Sequence, residues 1–171
     1  QDRQAKPGRI DGGFARGYKL HAIVSGDGRM IDWTVRSLNE GETTVAETLV
    51  EQAPLGAWLL ADGNYDSGNL YDRVSARGCQ LLTPLPPHAG QGHRRQSAAR
   101  LRALDLWTSG RAEALYAQRA AVERYFGQQS SFGGGLAPLP AWVRSLRRVT
   151  RWVAGKLIVY HVRLRLRKNA A

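Results

Sequence analysis

The most constraining feature of the sequence is a continuous apolar run at residues 57–61, which ends directly in Asp62. A run this short, apolar at every position and flanked by turn-forming residues, is typical of a strand buried on both faces of a sheet. Residues 67–78 follow with helical spacing, and residues 79–85 form a second apolar run that ends at two prolines. This order predicts a parallel strand pair joined by a crossover helix, and therefore an α/β domain.

The flanking sequence extends this domain on both sides. Residues 19–24 and 30–35 alternate in polarity around a Ser-Gly-Asp-Gly turn, which predicts a β-hairpin. Residues 1–14 are polar and contain the turn-forming residues Pro7, Gly8, Gly12 and Gly13, so they are predicted to be a loop. Helical spacing predicts four further helices, at residues 43–52, 98–107, 111–129 and 141–168.

The charge of the chain is concentrated in its second half. The formal net charge is +11, yet residues 1–80 hold nine Lys and Arg against eleven Asp and Glu, whereas residues 81–171 hold sixteen against three. A one-sided basic field favours a polyanionic partner, and nucleic acid comes first. A basic composition from arginine-rich coding is the alternative, but it does not explain the asymmetry. Residues 86–108 are predicted to be a basic insertion, in which Arg94 and Arg95 are candidate DNA contacts.

Two protein classes are disfavoured by the sequence. Cys79 is the one cysteine, which excludes a disulfide framework and a cysteine-rich zinc site and favours a reducing, cytoplasmic setting. The longest strongly apolar run, residues 157–162, is far too short to cross a bilayer, so no membrane-spanning segment is expected.

Two acidic residues are candidates for chemistry. Asp62 follows a predicted buried strand, and sites in open α/β sheets form just beyond such strand ends. The alternative is that Asp62 only caps the following turn. Asp66 competes with Asp62 for the functional role, but it is predicted instead to support the turn or to cap the next helix. Glu123 is spaced i, i+3, i+7 with Tyr116 and Arg119, so the three share one face of a predicted helix. The alternative there is a solvated face with an ordinary Arg–Glu pair.

These residues carry a resemblance to a known family. The spacing Tyr116, Arg119, Glu123 resembles the Tyr-Arg-Glu-Lys signature of insertion-sequence transposases with an Asp-Asp-Glu triad, although Ser130 stands where the lysine would fall. Residues 61–66 resemble the segment around the second catalytic Asp of that family, and residues 16–21 resemble the strand after its first Asp. The resemblance covers nearly the whole chain.

The resemblance implies an RNase H-like mixed sheet flanked by helices. It implies that Asp62 and Glu123 are catalytic ligands of Mg²⁺ or Mn²⁺, and that Tyr116 and Arg119 position DNA. The partners would be double-stranded DNA, as transposon end and target, and further copies of the protein. Neither Asp2 nor Asp11 lies in an apolar strand, so the first Asp and its strand are expected upstream of Gln1, and this stretch alone is expected to lack catalysis.

The C-terminal region is the remaining candidate for DNA binding. An apolar stripe is predicted on the last helix, at Trp142, Leu146, Val149, Val153 and Tyr160. Four arginines on another face are predicted to grip the DNA backbone: Arg144, Arg147, Arg148 and Arg151. Binding to a membrane surface is the rival for such a helix.

Three functions are left open by the sequence. The first is DNA transposition by metal-dependent cleavage and strand transfer at insertion-sequence ends. The second is a DNA-binding remnant of a transposase without activity. The third is another nuclease with an RNase H-like fold.

Overall fold

A computed structural model of the chain describes residues 2–10, 12–84, 97–131, 135–136 and 138–169. The chain forms two compact units: a terminal unit of Gln1–Glu40 and Ala121–Ala171, and a central unit of Gly41–Ala120. The strands are β1 (Lys6–Ile10), β2 (Gly13–Val24), β3 (Met30–Ser37), β4 (Trp58–Leu60) and β5 (Gln80–Leu82). The helices are α1 (Glu42–Leu49), α2 (Gly68–Ala76), α3 (Ala98–Thr108), α4 (Ala112–Tyr116), α5 (Ala120–Ser131) and α6 (Leu146–Asn169).

An antiparallel sheet forms the strand layer of the terminal unit. The predicted hairpin is confirmed: β2 pairs with β3 from Tyr18↔Ser37 to Val24↔Met30. The prediction of a loop over residues 1–14 is wrong for β1, which pairs with the Gly13–Gly17 half of β2. Most side chains of β1 are exposed, so the strand lacks the alternation that marks a half-buried strand in sequence. Its pairing partner, rather than its own pattern, makes it a strand.

The core of the terminal unit lies along α5 and α6. Its buried residues are Val35, Tyr125, Val143, Val149, Val153, Leu157 and Tyr160. Three members of the predicted stripe on the last helix are therefore in the core, and Leu146 packs against it half-buried. Trp142 is the exception: it is 65% exposed and precedes the helix.

The last helix begins later than residue 141, because Ser145 has a positive φ of 72°. A left-handed residue of this kind is not compatible with a helix that continues through it. The first backbone amides of α6 are instead bound from the other end of the chain. The Ser145 N–H donates to Asp2 Oδ2 at 2.7 Å, and the Leu146 N–H donates to Gln4 Oε1 at 2.9 Å. These acceptors satisfy donors that the start of a helix leaves unpaired.

The predicted parallel strand pair is confirmed in the central unit. β4 and β5 are parallel, with Leu59 opposite Leu81, and α2 connects them. The α2 helix buries Leu70, Tyr71 and Val74, and Gly78 follows it with the positive φ that a helix C-terminus commonly needs. The prediction that β4 is buried on both faces was wrong. Its three residues are exposed or half-buried, whereas Leu81 and Leu82 of β5 are buried.

The structure corrects two of the helix predictions. The single helix expected over residues 111–129 is divided into α4, a 3-10 turn at Ala117–Arg119, and α5. The first helix begins at Glu42, so Thr43 and Thr44 lie inside it rather than at its cap. The first part of the predicted basic insertion, residues 86–96 with Arg94 and Arg95, lies outside the described residues, and residues 98–108 form α3.

Candidate active site

Asp62 lies where the sequence places it, directly after β4. It caps a 3-10 turn at Gly63–Tyr65, and its Oδ1 accepts a hydrogen bond from the Asn64 backbone at 2.9 Å. Within the described part of the chain this is the one hydrogen bond made by its carboxylate. The capping role that was the alternative to a functional role is therefore observed, but it uses one oxygen and leaves the other for a ligand.

Tyr65 reports on the charge around Asp62. Burial first, and then the negative charges of Glu42 and Asp62, together raise the pKa of Tyr65 to about 12. A second carboxylate, at the start of α1, therefore acts on the same phenol. Sequence analysis did not single out Glu42, because it sits 20 positions before Asp62 in a helix pattern of its own.

Asp66 has a different partner from the one expected. It was predicted to support the turn or cap α2, but it forms a two-pronged ion pair with Arg100 of α3, at 2.7 and 2.8 Å. The two side chains are only 15% and 13% exposed. The pair is a charge-assisted fork of the kind that fixes geometry as well as energy. Asp66 is therefore committed to Arg100 and no longer competes with Asp62.

Tyr116 also contacts the strand end that carries Asp62. Its hydroxyl donates to the carbonyl of Ala61 at 3.1 Å. Its ring meets the edge of Trp107 at 5.4 Å between centroids, and the Trp107 indole N–H donates to the Thr83 carbonyl at 2.8 Å. The Arg119 guanidinium carbon lies 5.7 Å from the centre of the Tyr116 ring, within cation–π range.

Glu123 belongs to the other unit. It is exposed in the first turn of α5, while Tyr116 ends α4 and Arg119 ends the 3-10 turn. The three residues therefore do not share one uninterrupted helix face. The structure brings Tyr116 and Arg119 together with the Asp62 strand end inside the central unit. The buried residues of α5 are Tyr125 and Gln129, and Phe126 packs against the core half-buried.

The candidate DNA-binding arginines of the C-terminal region are all exposed. Arg147, Arg148 and Arg151 occupy the first two turns of α6, and Arg144 precedes the helix and donates to the Pro140 and Val143 carbonyls. Farther along α6 the exposed residues include three aliphatic side chains, Ile158, Val162 and Leu166, among the exposed arginines Arg163, Arg165 and Arg167.

The donor chemistry at Asp62 suits a hard divalent cation, because carboxylate oxygens are the preferred ligands of Mg²⁺. Among the described residues there is no group of three or more His, Cys, Asp or Glu that could hold a metal ion. Asp62 alone therefore gives an incomplete ligand set.

No helix in the described ranges is long and apolar enough to cross a membrane.

A mixed α/β chain with a carboxylate at a strand end and a large cationic excess has the features of a nucleic-acid-processing domain. Residues 2–162 match the family described as Transposase DDE domain. The chain belongs to this family of transposases, which confirms the resemblance at the level of the family, while the Tyr-Arg-Glu-Lys signature stays a prediction. No curated protein and no solved structure matches the chain.

Proposed function

We propose that this domain carries out metal-dependent DNA cleavage and strand transfer at insertion-sequence ends, with Asp62 and Glu123 as two of its metal-binding carboxylates. The observation that carries the proposal is the position of Asp62. It follows a strand of a parallel pair, and only one of its carboxylate oxygens, Oδ1, accepts a hydrogen bond from the turn. The preceding residue, Ala61, is bound by the Tyr116 hydroxyl. The ends of parallel strands are where α/β sheets place their sites.

Mg²⁺ or Mn²⁺ held by these carboxylates would activate water or a 3′-hydroxyl and stabilise the leaving oxygen at the scissile phosphate. Other residues of the chain leave space for DNA beside Asp62 and provide groups that can bind it. Gly63 is exposed, and an added Cβ there would meet no atom within 4 Å, so a sugar-phosphate backbone has room next to Asp62. Arg119, over the ring of Tyr116, offers a planar fork of donors to a phosphate.

The first aspartate of the triad is not assigned to a described residue. Burial raises the pKa of the Asp2 carboxyl, but hydrogen bonds from Ser145, Tyr18 and Gln4 outweigh this and leave its pKa below the ordinary value. Asp2 is thus a structural acceptor. We keep the first aspartate, with its strand, as an expectation for sequence upstream of Gln1.

An RNase H-like sheet and a multimeric active form belong to the same proposal. The sheet is supported by open strand edges in each unit. Among the described residues, β2 over Tyr18–Val24 has β3 as its one partner, and β4 has β5 as its one partner. Each of these strands therefore has an edge at which a further strand can pair.

Manganese titration of the isotope-labelled chain tests the assignment of Asp62. Mn²⁺ is paramagnetic, so even weak binding should broaden the amide signals of Gly63 and Asn64 before those of distant residues. We expect D62N to abolish this local broadening and excess Mg²⁺ to compete it away. The matched control is D105N, which removes an exposed carboxylate on α3. Equal broadening in the wild type and D62N would contradict the assignment.

The arginines of α6 should contribute to DNA affinity through counterion release. Replacing Arg147, Arg148 and Arg151 by alanine is expected to reduce the slope of log K against log salt by about 2.7, if each contacts one phosphate. A fluorescence-anisotropy titration of a DNA duplex at several salt concentrations measures this slope.

The control for that experiment is a second triple alanine variant, at Arg29, Arg73 and Arg111. It removes the same formal charge, but each of these arginines is paired with a carboxylate. We expect its slope to stay near that of the wild type. Equal losses in the two triple variants would show that net charge, and not the α6 surface, sets the affinity. DNA binding without metal binding at Asp62 would favour the inactive DNA-binding remnant.

A further inference from the structure

We propose that Arg100 and Trp107 of α3 are positioning residues, which hold the Asp62 carboxylate in place from both sides along the chain. The inference rests on the proposed role of Asp62 as a metal ligand. Each positioning residue acts through a neighbour of Asp62 in the sequence, Asp66 on one side and Ala61 on the other.

The anchor after Asp62 is the Arg100–Asp66 pair. Two short bonds, at 2.7 and 2.8 Å, join these largely buried side chains across 34 positions of sequence. A fork of this kind restricts both the distance and the angle between its partners. The turn that begins at Asp62 is thereby fixed at its far end, because Asp66 is the residue that closes it.

The anchor before Asp62 runs through two aromatic side chains. Trp107 is tied to the Thr83 carbonyl, just beyond β5, and its ring meets that of Tyr116. The Tyr116 hydroxyl in turn binds the Ala61 carbonyl, just beyond β4. Trp107 therefore connects the ends of both parallel strands at the point where Asp62 leaves the sheet.

One helix carries both anchors. Arg100 and Trp107 are spaced i, i+7 on α3, so they lie on the same face, and Ala103 between them is buried. Ser97 fixes the start of this helix: its hydroxyl accepts from the Arg100 amide and donates to Asp72. A rigid element bonded on both sides of a ligand residue is the arrangement that holds a site in its productive geometry.

The test is the same Mn²⁺ titration, applied to variants of the anchors. Residues that orient a metal ligand typically contribute 10- to 100-fold to metal affinity, so R100Q and D66N should each weaken binding at Gly63 and Asn64 by about 10-fold or more. The double variant R100Q/D66N should lose no more than either single variant, since both disrupt one anchor. R100K keeps the charge but cannot form the two-pronged ion pair, so its Mn²⁺ affinity should fall less than that of R100Q. W107F should also weaken Mn²⁺ binding.

R102Q is the matched control. Arg102 lies on the same helix and bonds to Gln80 and Ser75, away from Asp62, so its removal should leave Mn²⁺ affinity unchanged. If R100Q does not fold, the same titration is made with R100K and with the double variant R100Q/D66N, which leaves the net charge unchanged. Wild-type affinity in folded anchor variants, or an equal loss in R102Q, would overturn the inference.

A metal-free readout separates this inference from the proposed function. The Asn64 amide donates to Asp62 Oδ1, so its hydrogen-exchange rate reports how well the turn is held. We expect faster exchange at Asn64 in R100Q and W107F, but not in R102Q. Faster exchange in a protein whose wild type binds no Mn²⁺ would refute the metal site alone. Unchanged exchange would refute the anchors.

Discussion

Replacing Asp62 by asparagine is expected to lower the rate of Mg²⁺-dependent DNA cleavage about 1,000-fold in a protein that includes the proposed first catalytic aspartate. Asparagine keeps an oxygen that can accept from the Asn64 amide, so the turn after β4 should persist. The variant loses the negative charge that holds a cation, and a bound metal is worth several kcal/mol at the transition state. A loss of about 4 kcal/mol corresponds to about 1,000-fold in rate. Single-turnover cleavage of a transposon-end duplex measures it.

Two comparisons make that result interpretable. D105N removes an exposed carboxylate from the same unit and should cleave at the wild-type rate. The 171-residue chain alone is expected to show no Mg²⁺-dependent nicking, because its first catalytic aspartate is expected upstream. Cleavage by D62N within tenfold of wild type would remove Asp62 from the active site. Clear nicking by the chain alone, abolished in D62A, would refute the upstream aspartate.

Replacing Tyr125 by alanine is expected to destabilise the terminal unit by about 3–5 kcal/mol, the usual cost of removing a large aromatic side chain from a core. Tyr125 is 1% exposed, and its ring meets those of Phe126, Tyr160 and His161 at 5.3 to 6.1 Å. Urea unfolding followed by near-ultraviolet circular dichroism measures the change in the free energy of unfolding.

Two further variants localise the effect to the ring. Arg124 is the exposed neighbour of Tyr125 on α5, and R124A should change the free energy of unfolding by no more than about 0.5 kcal/mol. Y125F keeps the ring and loses only the contacts of the hydroxyl with the Met30 sulfur, at 3.9 Å, and with the Gln129 side chain, so it should lose about 1 kcal/mol. A loss below about 1 kcal/mol in Y125A would mean that the core tolerates the cavity.

Local patterns predicted the elements whose structure is locally determined. The β4–α2–β5 unit was predicted because apolar runs and helical spacing are visible over a few residues. Strand β1 was missed because its exposed residues gain their structure from pairing with β2. The division between α4 and α5 was missed because good helix formers run through it without a Gly or Pro.

The candidate site shows the same limit. The position of Asp62 could be predicted, since a carboxylate ending an apolar run is a local signal. Its supports could not: Arg100 is 34 positions from Asp66, and Tyr116 is 55 positions from Ala61. Hydrogen bonds over such separations leave no periodic trace in a single sequence. The DNA-binding assignment of Arg94 and Arg95 stays a prediction.

The start of the chain and its longest helix are mutually dependent. Asp2 and Gln4 accept the amides of Ser145 and Leu146, so an expression boundary placed after Gln4 would leave the first turn of α6 without either acceptor. Fraying would begin at the very turn that presents Arg147 and Arg148 to solvent. We therefore expect a shortened protein to lose part of the proposed nucleic-acid affinity although every arginine of α6 is still encoded, and tags or truncations at this end need to spare Asp2 and Gln4.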